Sequence, residues 1–308
     1  MEQSADLNNR KALMDQSLFL TSRKTIASYP GGKSDRRKHS TLFLSVPDRI
    51  RFLIEPFAGL ANFFLVLCPR VSRVWLNDKD PEIFSILKSI QDPDLLSKLI
   101  EQIKSIEPIE RDEYYEWKSL SPNTVLDRAV RRLIILNCSP NGAGGGYSRE
   151  KAHRNWYQSK PLVWGFIHKI FQEKEVRITN WDFSKVLMAL TGDLYSRSSF
   201  CYLDPPYIDV AKSGNLYGKL YNIVDWELLK FHLNQIQCHW VLSNRDDPRI
   251  HKLFTGYHIL QYNTYNDMNN TIESNPEMLV SNRPFKRATS RRKSLKAFLG
   301  NSENHQES

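Results

Sequence analysis

The sequence predicts an α/β fold, an open sheet whose strands are joined by crossover helices. Short apolar runs alternate along the chain with longer segments of helical periodicity, which is the order of elements that such sheets produce. Two of the apolar runs end in a carboxylate followed by a turn, and ligands of open α/β sheets bind just beyond the carboxyl ends of strands. With 308 residues, of which 41% are hydrophobic, the chain can form one sizeable domain with an insertion, or two domains.

The strand and helix candidates follow one another along most of the chain. Strands are predicted at residues 52–54, 74–76, 176–178, 200–203, 240–242, 257–262 and 278–280. Helices are predicted at residues 81–90, which begin with a proline, at 125–136 and 162–171, and at 225–236, which begin with an acidic cap.

This alternation stops between about residues 89 and 171, where the sequence is helical, charged and interrupted by a glycine-rich loop. We therefore expect residues 25–88 and 172–283 to form the α/β domain and residues 89–171 to be a mostly helical insertion. Residues 1–24 are polar and are expected to be a loosely held lead-in, and residues 284–308 a flexible basic tail.

The charge balance favours a polyanionic partner. The chain carries 43 lysines and arginines against 34 acidic residues, a formal net charge of +9, although many basic proteins bind no nucleic acid. Seven basic residues and no acidic one lie between positions 283 and 296. This segment is either a solvated tail or a non-specific grip on phosphates.

Nothing in the composition suggests a membrane or a metal. No apolar run approaches the roughly 20 residues of a membrane-spanning helix, and the polar N-terminus is not typical of a signal peptide. The cysteines Cys68, Cys138, Cys201 and Cys238 are scattered without metal-ligand spacing and are expected to be reduced. The expectation is a cytoplasmic protein.

Two strand ends carry acids in positions that suit a nucleotide site. Glu55 ends the strand at 52–54 and precedes a turn of small residues that reaches Gly59. The next strand ends at Asn77 and Asp78, where an acid can accept hydrogen bonds from a ribose diol. Taken singly, Glu55 is equally compatible with a helix-capping acid, and Asn77 and Asp78 with a plain turn.

The most specific motif is the strand at 200–203 followed by Asp204, Pro205, Pro206 and Tyr207. An aromatic amine is a poor nucleophile because its lone pair is delocalised into the ring. The Asp204 carboxylate and the Pro205 carbonyl can accept both amino hydrogens and favour a more tetrahedral nitrogen, and the prolines fix the direction of that carbonyl. Tyr207 can stack on a base swung out of a duplex. The alternative is a structural turn with a buried aromatic residue.

Together these motifs resemble the Dam-type family of adenine-specific DNA methyltransferases, from about residue 26 to residue 283 and in the family's order. The resemblance implies an open Rossmann-like sheet that uses S-adenosylmethionine, with residues 89–171 as a DNA-recognition insertion. The implied reaction is site-specific transfer of a methyl group to the exocyclic amino group of adenine in DNA, which would place the protein at the nucleoid. No metal is implied, because methyl transfer from a sulfonium relies on positioning and hydrogen bonding.

The resemblance also implies roles for individual residues. The implied catalytic residues are Asp204, Pro205, Pro206 and Tyr207. The residues implied to bind the cofactor are Tyr29, Gly32 and Lys33 in an N-terminal glycine turn, Glu55, Phe57, Ala58 and Gly59 after the first strand, Asp78 after the second, and Asp182 and Phe183 after the third. Taken alone, the glycine turn is more typical of a surface loop.

Basic residues are interleaved with aromatic ones in the insertion, which suits phosphate contacts and stacking at an extruded base. We expect Arg131, Arg132, Asn141, Arg149 and Arg154 to contact DNA. For Arg131 and Arg132 a solvated basic helix face is equally compatible. The glycines at 144–146 depart from the pattern of many relatives, so the resemblance does not give the target sequence.

Two alternatives to an active adenine methyltransferase stay open. Leu60 stands where the family usually has Gly or Ser, which would suit a DNA-binding relative with impaired catalysis. The same chemistry could also act on cytosine, on adenine in RNA or on a glutamine amide. The sequence is compatible with a monomer and leaves open whether a restriction enzyme accompanies the protein.

Overall fold

The computed structural model of the chain describes residues 25–27, 29, 40–48, 50–106, 108–142, 144–192, 198–208, 224–268 and 271–285. The lead-in predicted at residues 1–24 lies outside this part of the chain, as does all but the beginning of the basic tail predicted at 284–308. None of the helices in these ranges combines the length and the hydropathy needed to cross a membrane.

Seven strands in the described ranges form one sheet. They are β1 (Phe52–Glu55), β2 (Arg73–Asn77), β3 (Glu175–Thr179), β4 (Ser199–Leu203), β5 (His239–Arg245), β6 (His258–Met268) and β7 (Thr271–Ser281). Each of the seven predicted strands lies within or overlaps one of them, because apolar runs bounded by polar residues mark buried strands clearly.

The helices are α1 (Ser40–Ser45), α2 (Asn62–Leu67), α3 (Pro81–Gln91), α4 (Pro93–Lys104), α5 (Arg111–Ser119), α6 (Val125–Asn137), α7 (Arg149–Ala152), α8 (Trp156–Glu173), α9 (Phe183–Met188), α10 (Trp226–Leu233) and α11 (Pro248–Leu253). Helices α3, α6, α8 and α10 match the predicted ones, and the Asp225 side chain caps α10 as expected. The prediction began α8 after Pro161, but the helix continues through this residue. Burial of Trp156 and Pro161 in the core outweighs the lost backbone hydrogen bond.

The sheet has the strand order β3-β2-β1-β4-β5-β7-β6. Strands β1 to β5 pair in parallel with their neighbours, whereas β7 is antiparallel to both β5 and β6. The first five positions follow the Rossmann order, so the predicted open α/β sheet is confirmed. The chain order reverses between β1 and β4, and the carboxyl ends of these two strands form the switch point at which such sheets bind ligands.

Side chains alternate between the two faces of the sheet and build a separate apolar cluster on each. One cluster contains Leu53, Val74, Phe200, Tyr202 and Val241. The other contains Ile54, Trp75, Cys201, Leu203 and Trp240, together with residues of α9, α10 and α11. Because strands covered on both faces need apolar residues at every position, β1, β4 and β5 appear in the sequence as continuous apolar runs.

The segment predicted as an insertion shares its core with the sheet. Leu99 of α4, Ile134 of α6 and Trp164 of α8 belong to the same cluster as Leu53 and Val74. These helices therefore cover one face of the sheet in the way crossover helices do. The assignment of residues 89–171 to DNA recognition stays a prediction.

One buried amide ties three strand ends together. The side chain of Asn77, at the end of β2, is fully buried, and its Nδ2 donates to the carbonyls of Pro56 at 2.9 Å and Trp181 at 3.0 Å. Its Oδ1 accepts from the Trp181 N–H at 2.9 Å and from the Thr179 hydroxyl at 2.7 Å. The loops after β1 and β3 are thus fixed to the end of β2.

Replacing this amide should destabilise the protein. We expect Asn77→Ala to lower the free energy of unfolding by about 3 kcal/mol, because it leaves several buried donors and acceptors without partners. The matched control is Asn180→Ala, which removes an exposed amide that donates to the carbonyls of Asp78 and Lys79 and should cost less than about 1 kcal/mol. Urea denaturation measures both, and equal losses would show that Asn77 does not tie the strand ends.

Candidate active site

Carboxylates from three neighbouring strands meet at the switch point. Glu55 ends β1, Asp78 follows β2 and Asp204 follows β4. The strand order β2-β1-β4 places Glu55 between the other two. The predicted convergence of these acids follows from the parallel register of the three strands.

Glu55 is almost completely buried, with 1% of its surface exposed. Burial raises the pKa of its carboxyl well above the usual range; a hydrogen bond from the backbone of Phe64 opposes this shift, and the charge of Asp204 adds to it. Its Oε1 is buried and makes no hydrogen bond to any of the described residues. An unsatisfied carboxylate oxygen at this position indicates a place for a donor that the chain itself does not supply.

Asp78 is half-buried and already holds the turn after β1. Its Oδ2 accepts from the N–H of Gly59 at 2.8 Å, and its Oδ1 accepts from the N–H of Asp80 at 2.9 Å. Burial raises the pKa of Asp78 to about 7, and the charge of Asp80 adds to this effect. The two hydrogen bonds and the charge of Arg132 act in the opposite direction.

The turn between β1 and α2 uses left-handed backbone at two residues. Gly59 has φ of 50° and Ala61 has φ of 55°, and the Ala61 N–H donates to Ala58 at 2.8 Å. A β-carbon on Gly59 would lie 3.0 Å from Cε1 of Tyr29, so the aromatic ring covers the turn directly. The sequence prediction grouped Tyr29 with Gly59, and the structure brings them into contact.

Of the other residues predicted to bind the cofactor, Phe57, Asp182 and Phe183 lie within the described part of the chain. The ring of Phe57 contacts that of Phe183, with centroids 5.4 Å apart. Asp182 caps α9 and pairs with Lys79 at 2.9 Å; burial would raise its pKa, but hydrogen bonds from Lys79 and Ser184 hold the pKa below the usual range. Gly32 and Lys33 lie outside the described residues.

Asp204 is held from the neighbouring strand. The Ser243 hydroxyl of β5 donates to Asp204 Oδ1 at 2.7 Å, and the Tyr202 hydroxyl lies 2.8 Å from the Ser243 oxygen. Because Ser243 has a single hydroxyl proton, which goes to Asp204, Tyr202 must be the donor to Ser243. Two buried hydroxyls therefore orient one oxygen of this carboxylate.

The loop after Asp204 is anchored to β7. Pro205 is buried, and the hydroxyl of Tyr207 donates to the Glu277 carboxylate of β7, at 2.8 Å to Oε1 and 3.1 Å to Oε2. The guanidinium of Arg245 lies 5.7 Å from the centre of the Tyr207 ring. The aromatic ring is thus fixed at its outer end, three residues after Asp204.

Arg131 and Arg132 do not lie on a solvent-exposed basic face. Arg131 forms an ion pair with Glu82 and donates to the carbonyls of Trp117 and Lys118, and Arg132 lies 3.6 Å from Asp80. Both side chains are less than one-fifth exposed, because the N-terminus of α3 covers them. The structure thus places these two arginines in the contact between α6 and α3, and their contact with DNA stays a prediction.

The other predicted DNA contacts cluster near the glycine-rich loop. Arg149 and Arg154 are exposed at the two ends of α7, and Arg154 forms an ion pair with Glu150. Asn141 lies in the short turn Pro140–Gly142 before this loop. The loop itself is fastened by hydrogen bonds, among them Lys118 to the Gly145 carbonyl at 2.6 Å.

The sequence analysis missed Ser243, Glu277 and Asp80. The signal for Ser243 is a polar residue directly after an apolar run in a strand, since a buried polar side chain needs a partner. Strand β7 contains several polar residues, so the sequence does not single out Glu277. Asp80 precedes a proline at the start of a helix, so the sequence indicates a helix cap and gives no sign of its second contact, with Arg132.

Within the described ranges, no group of three or more His, Cys, Asp or Glu side chains is placed to hold a metal.

The contact between Gly59 and Tyr29 can be measured directly. We expect Gly59→Ala to cost about 2 kcal/mol of stability, because left-handed backbone disfavours a β-carbon and the ring must move. In a Tyr29→Ala background about half of this cost should disappear. Gly256→Ala is the control, since Gly256 has φ of 93° with no atom near its missing β-carbon. Urea denaturation measures these losses of stability. If Gly59→Ala costs the same with Tyr29 and with Ala at position 29, the ring of Tyr29 does not pack closely against Gly59.

Comparison with known proteins identifies the family of the chain. The model of the D12 class N6 adenine-specific DNA methyltransferases matches residues 29–268, well over half of the chain. No curated protein matches the sequence significantly. Solved structures with a partial likeness include a precorrin-6y C5,15-methyltransferase from Geobacter metallireducens, with 10% identity, TM-score 0.36 and coverage of 83% of this chain and 93% of its own. An rRNA methylase from Streptococcus thermophilus has 7% identity, TM-score 0.33 and coverage of 79% of this chain and 93% of its own. The family match confirms the resemblance that the motifs indicated, and the chain belongs to the D12 class N6 adenine-specific DNA methyltransferase family.

Proposed function

We propose that this protein is a site-specific DNA methyltransferase that transfers a methyl group from S-adenosylmethionine to the exocyclic amino group of adenine. The observation that carries the proposal is the fixed Asp204 carboxylate, held by Ser243 and Tyr202 beside Glu55 at the switch point of the sheet. Family membership supports the same reaction.

The residues at the ends of β1 and β2 fit the cofactor. Glu55 has a buried oxygen without a hydrogen-bond donor, which suits the ammonium group of the methionine part. Gly59 lets a ligand approach the backbone, and Asp78 would accept from the ribose hydroxyls. The bound cofactor supplies a methyl group on a positively charged sulfur, and the surrounding carboxylates favour that charge.

Asp204 and Pro205 act on the amine. The Asp204 carboxylate and the Pro205 carbonyl would accept its two hydrogens, so that the nitrogen lone pair turns away from the ring and towards the methyl group. Ser243 fixes the carboxylate before the substrate arrives, and such preorganisation avoids reorganisation during the reaction. This part of the mechanism requires only hydrogen bonding and positioning.

Tyr207 would stack on the extruded adenine. Its hydroxyl is bound to Glu277, so the ring is held at one end and presents its faces beside the Asp204 loop. Arg149 and Arg154, exposed around α7, and Asn141 before the glycine-rich loop are proposed to contact the DNA. Extrusion of the base requires such contacts, because the energy of unstacking must be recovered from binding.

The position of Leu60 supports an active enzyme rather than a relative with impaired catalysis. Leu60 is 1% exposed and packs in the same cluster as Leu53 and Phe64, so the extra bulk is accommodated by the core.

The alternative substrates are separated by analysis of the methylated product. DNA of mixed sequence is methylated with cofactor that carries a labelled methyl group and is then digested to nucleosides. Label in any nucleoside other than N6-methyl-2′-deoxyadenosine would refute the proposed specificity.

Asp204→Ala should abolish methyl transfer and leave the fold and cofactor binding intact. We expect a loss of turnover of roughly a thousandfold or more, as for removal of a key preorganised polar group. Asp94→Ala, which changes an exposed acid at the start of α4, is the control and should retain normal turnover. Incorporation of labelled methyl groups measures both, and near-normal turnover by Asp204→Ala would refute the assignment.

Substitutions of Tyr207 should separate stacking from anchoring. We expect Tyr207→Ala to reduce single-turnover methylation by about 10- to 100-fold, because base stacking on an aromatic side chain contributes about 1–3 kcal/mol. Tyr207→Phe keeps the ring and loses only the bond to Glu277, so its loss should be about tenfold or less. Equal losses for the two variants would show that the ring does not stack on the base.

A further inference from the structure

We infer that Arg132 is a positioning residue of the cofactor site, which acts through Asp80 on the Asp78 carboxylate. The inference rests on the proposed role of Asp78 in binding the cofactor ribose. Arg132 belongs to α6, inside the segment that the sequence assigned to DNA recognition, and no functional motif includes it.

The geometry connects the two residues through one intermediate. Arg132 Nη2 lies 3.6 Å from Asp80 Oδ2, and the two side chains are 12% and 10% exposed. The N–H of Asp80 donates to Asp78 Oδ1 at 2.9 Å, and the Asp80 side chain caps α3. The Arg132 guanidinium therefore contacts the side chain of Asp80, and the backbone N–H of Asp80 in turn binds the Asp78 carboxylate.

A second contact fixes the guanidinium in place. Arg132 Nη1 lies 3.9 Å from Glu82 Oε2, and Arg131 pairs with the other oxygen of the same carboxylate. Arg131 also donates to the carbonyls of Trp117 and Lys118 at the end of α5. The start of α3 is thus clamped to α6, with Arg132 on the side that faces Asp80.

Two opposite charges then act on Asp78. Burial and the charge of Asp80 raise its pKa, two backbone hydrogen bonds and the charge of Arg132 lower it, and the net pKa is about 7. The neighbouring Lys79 is paired with Asp182 at 2.9 Å. Asp80 and Arg132 therefore change the fraction of ionised Asp78 at neutral pH in opposite directions, and the ionised form is the better acceptor for ribose hydroxyls.

The test is the pH dependence of binding of S-adenosylhomocysteine to the full chain without DNA, measured by calorimetry. Binding by the wild-type protein should weaken as the pH falls through about 7. Arg132→Met should move this midpoint to higher pH and weaken binding about fivefold at neutral pH, the effect of a pKa shift of about one unit. Asp80→Asn keeps a good helix cap and removes the opposite charge, so it should move the midpoint to lower pH.

Three further variants separate the charge of Arg132 from a structural role. Arg132→Lys keeps the charge and should restore most of the wild-type midpoint. Arg131→Met loses the pair with Glu82 and should lower stability while leaving the midpoint in place. Arg128→Met is the matched control, because Arg128 lies one turn earlier on α6 and donates to the Pro122 carbonyl instead.

Shifts of opposite sign for Arg132→Met and Asp80→Asn would support the inference, whereas shifts of the same sign, or none, would overturn it. The ¹³C resonance of the Asp78 carboxyl, titrated in the free protein, gives the same comparison without any ligand. If the wild type binds no S-adenosylhomocysteine, the proposed function fails, and the titration still decides the role of Arg132. If Arg132→Met does not fold, Arg132→Lys and Asp80→Asn provide the comparison.

Discussion

The buried amide of Asn77 is the interaction on which the arrangement of the site depends. Parallel strands bring their carboxyl ends to one edge of a sheet, but they leave the loops that follow free to diverge. Asn77 joins the loops after β1 and β3 to β2 through both ends of its side chain. Gly59 can then reach Asp78, and Asp182 can reach Lys79, because their backbones start from fixed points. The cofactor half of the site is therefore built from backbone held by one polar residue.

The electrostatics of the site point to a cationic ligand. Glu55, Asp78 and Asp204 come together from adjacent strands, and burial disfavours the charged forms of Glu55 and Asp78. Hydrogen bonds from Phe64, Gly59 and Ser243 offset part of this cost but leave the Glu55 oxygen unsatisfied. A positively charged group beside these acids would lower the free energy of all three. In the proposed reaction, S-adenosylmethionine would supply two such groups, an ammonium and a sulfonium.

The sequence predicted the sheet better than the contacts between its side chains. Strand β4 is almost wholly apolar, and this pattern has few structural alternatives. The ion pairs of Arg131 and Arg132 were not predicted, because spacing along α6 does not show that the start of α3 covers these side chains. Ser243 and Glu277 are buried polar side chains, each of which needs a partner. Which partner each one binds depends on strand order, which the sequence does not encode locally.

Residues 89–171 contain both helices that pack in the core and an exposed basic region. Leu99, Ile134 and Trp164 place α4, α6 and α8 in the core of the sheet, and Arg132 of α6 faces Asp80. The exposed basic residues proposed to contact DNA lie around α7, next to the glycine-rich loop. Exposed residues there, such as Arg149 and Arg154, can change without disturbing the core, whereas Cys138 and Ala152 of the same segment belong to it. Helix α6 borders both regions, because its C-terminus leads into this loop and its arginine side chains reach the turn that follows β2.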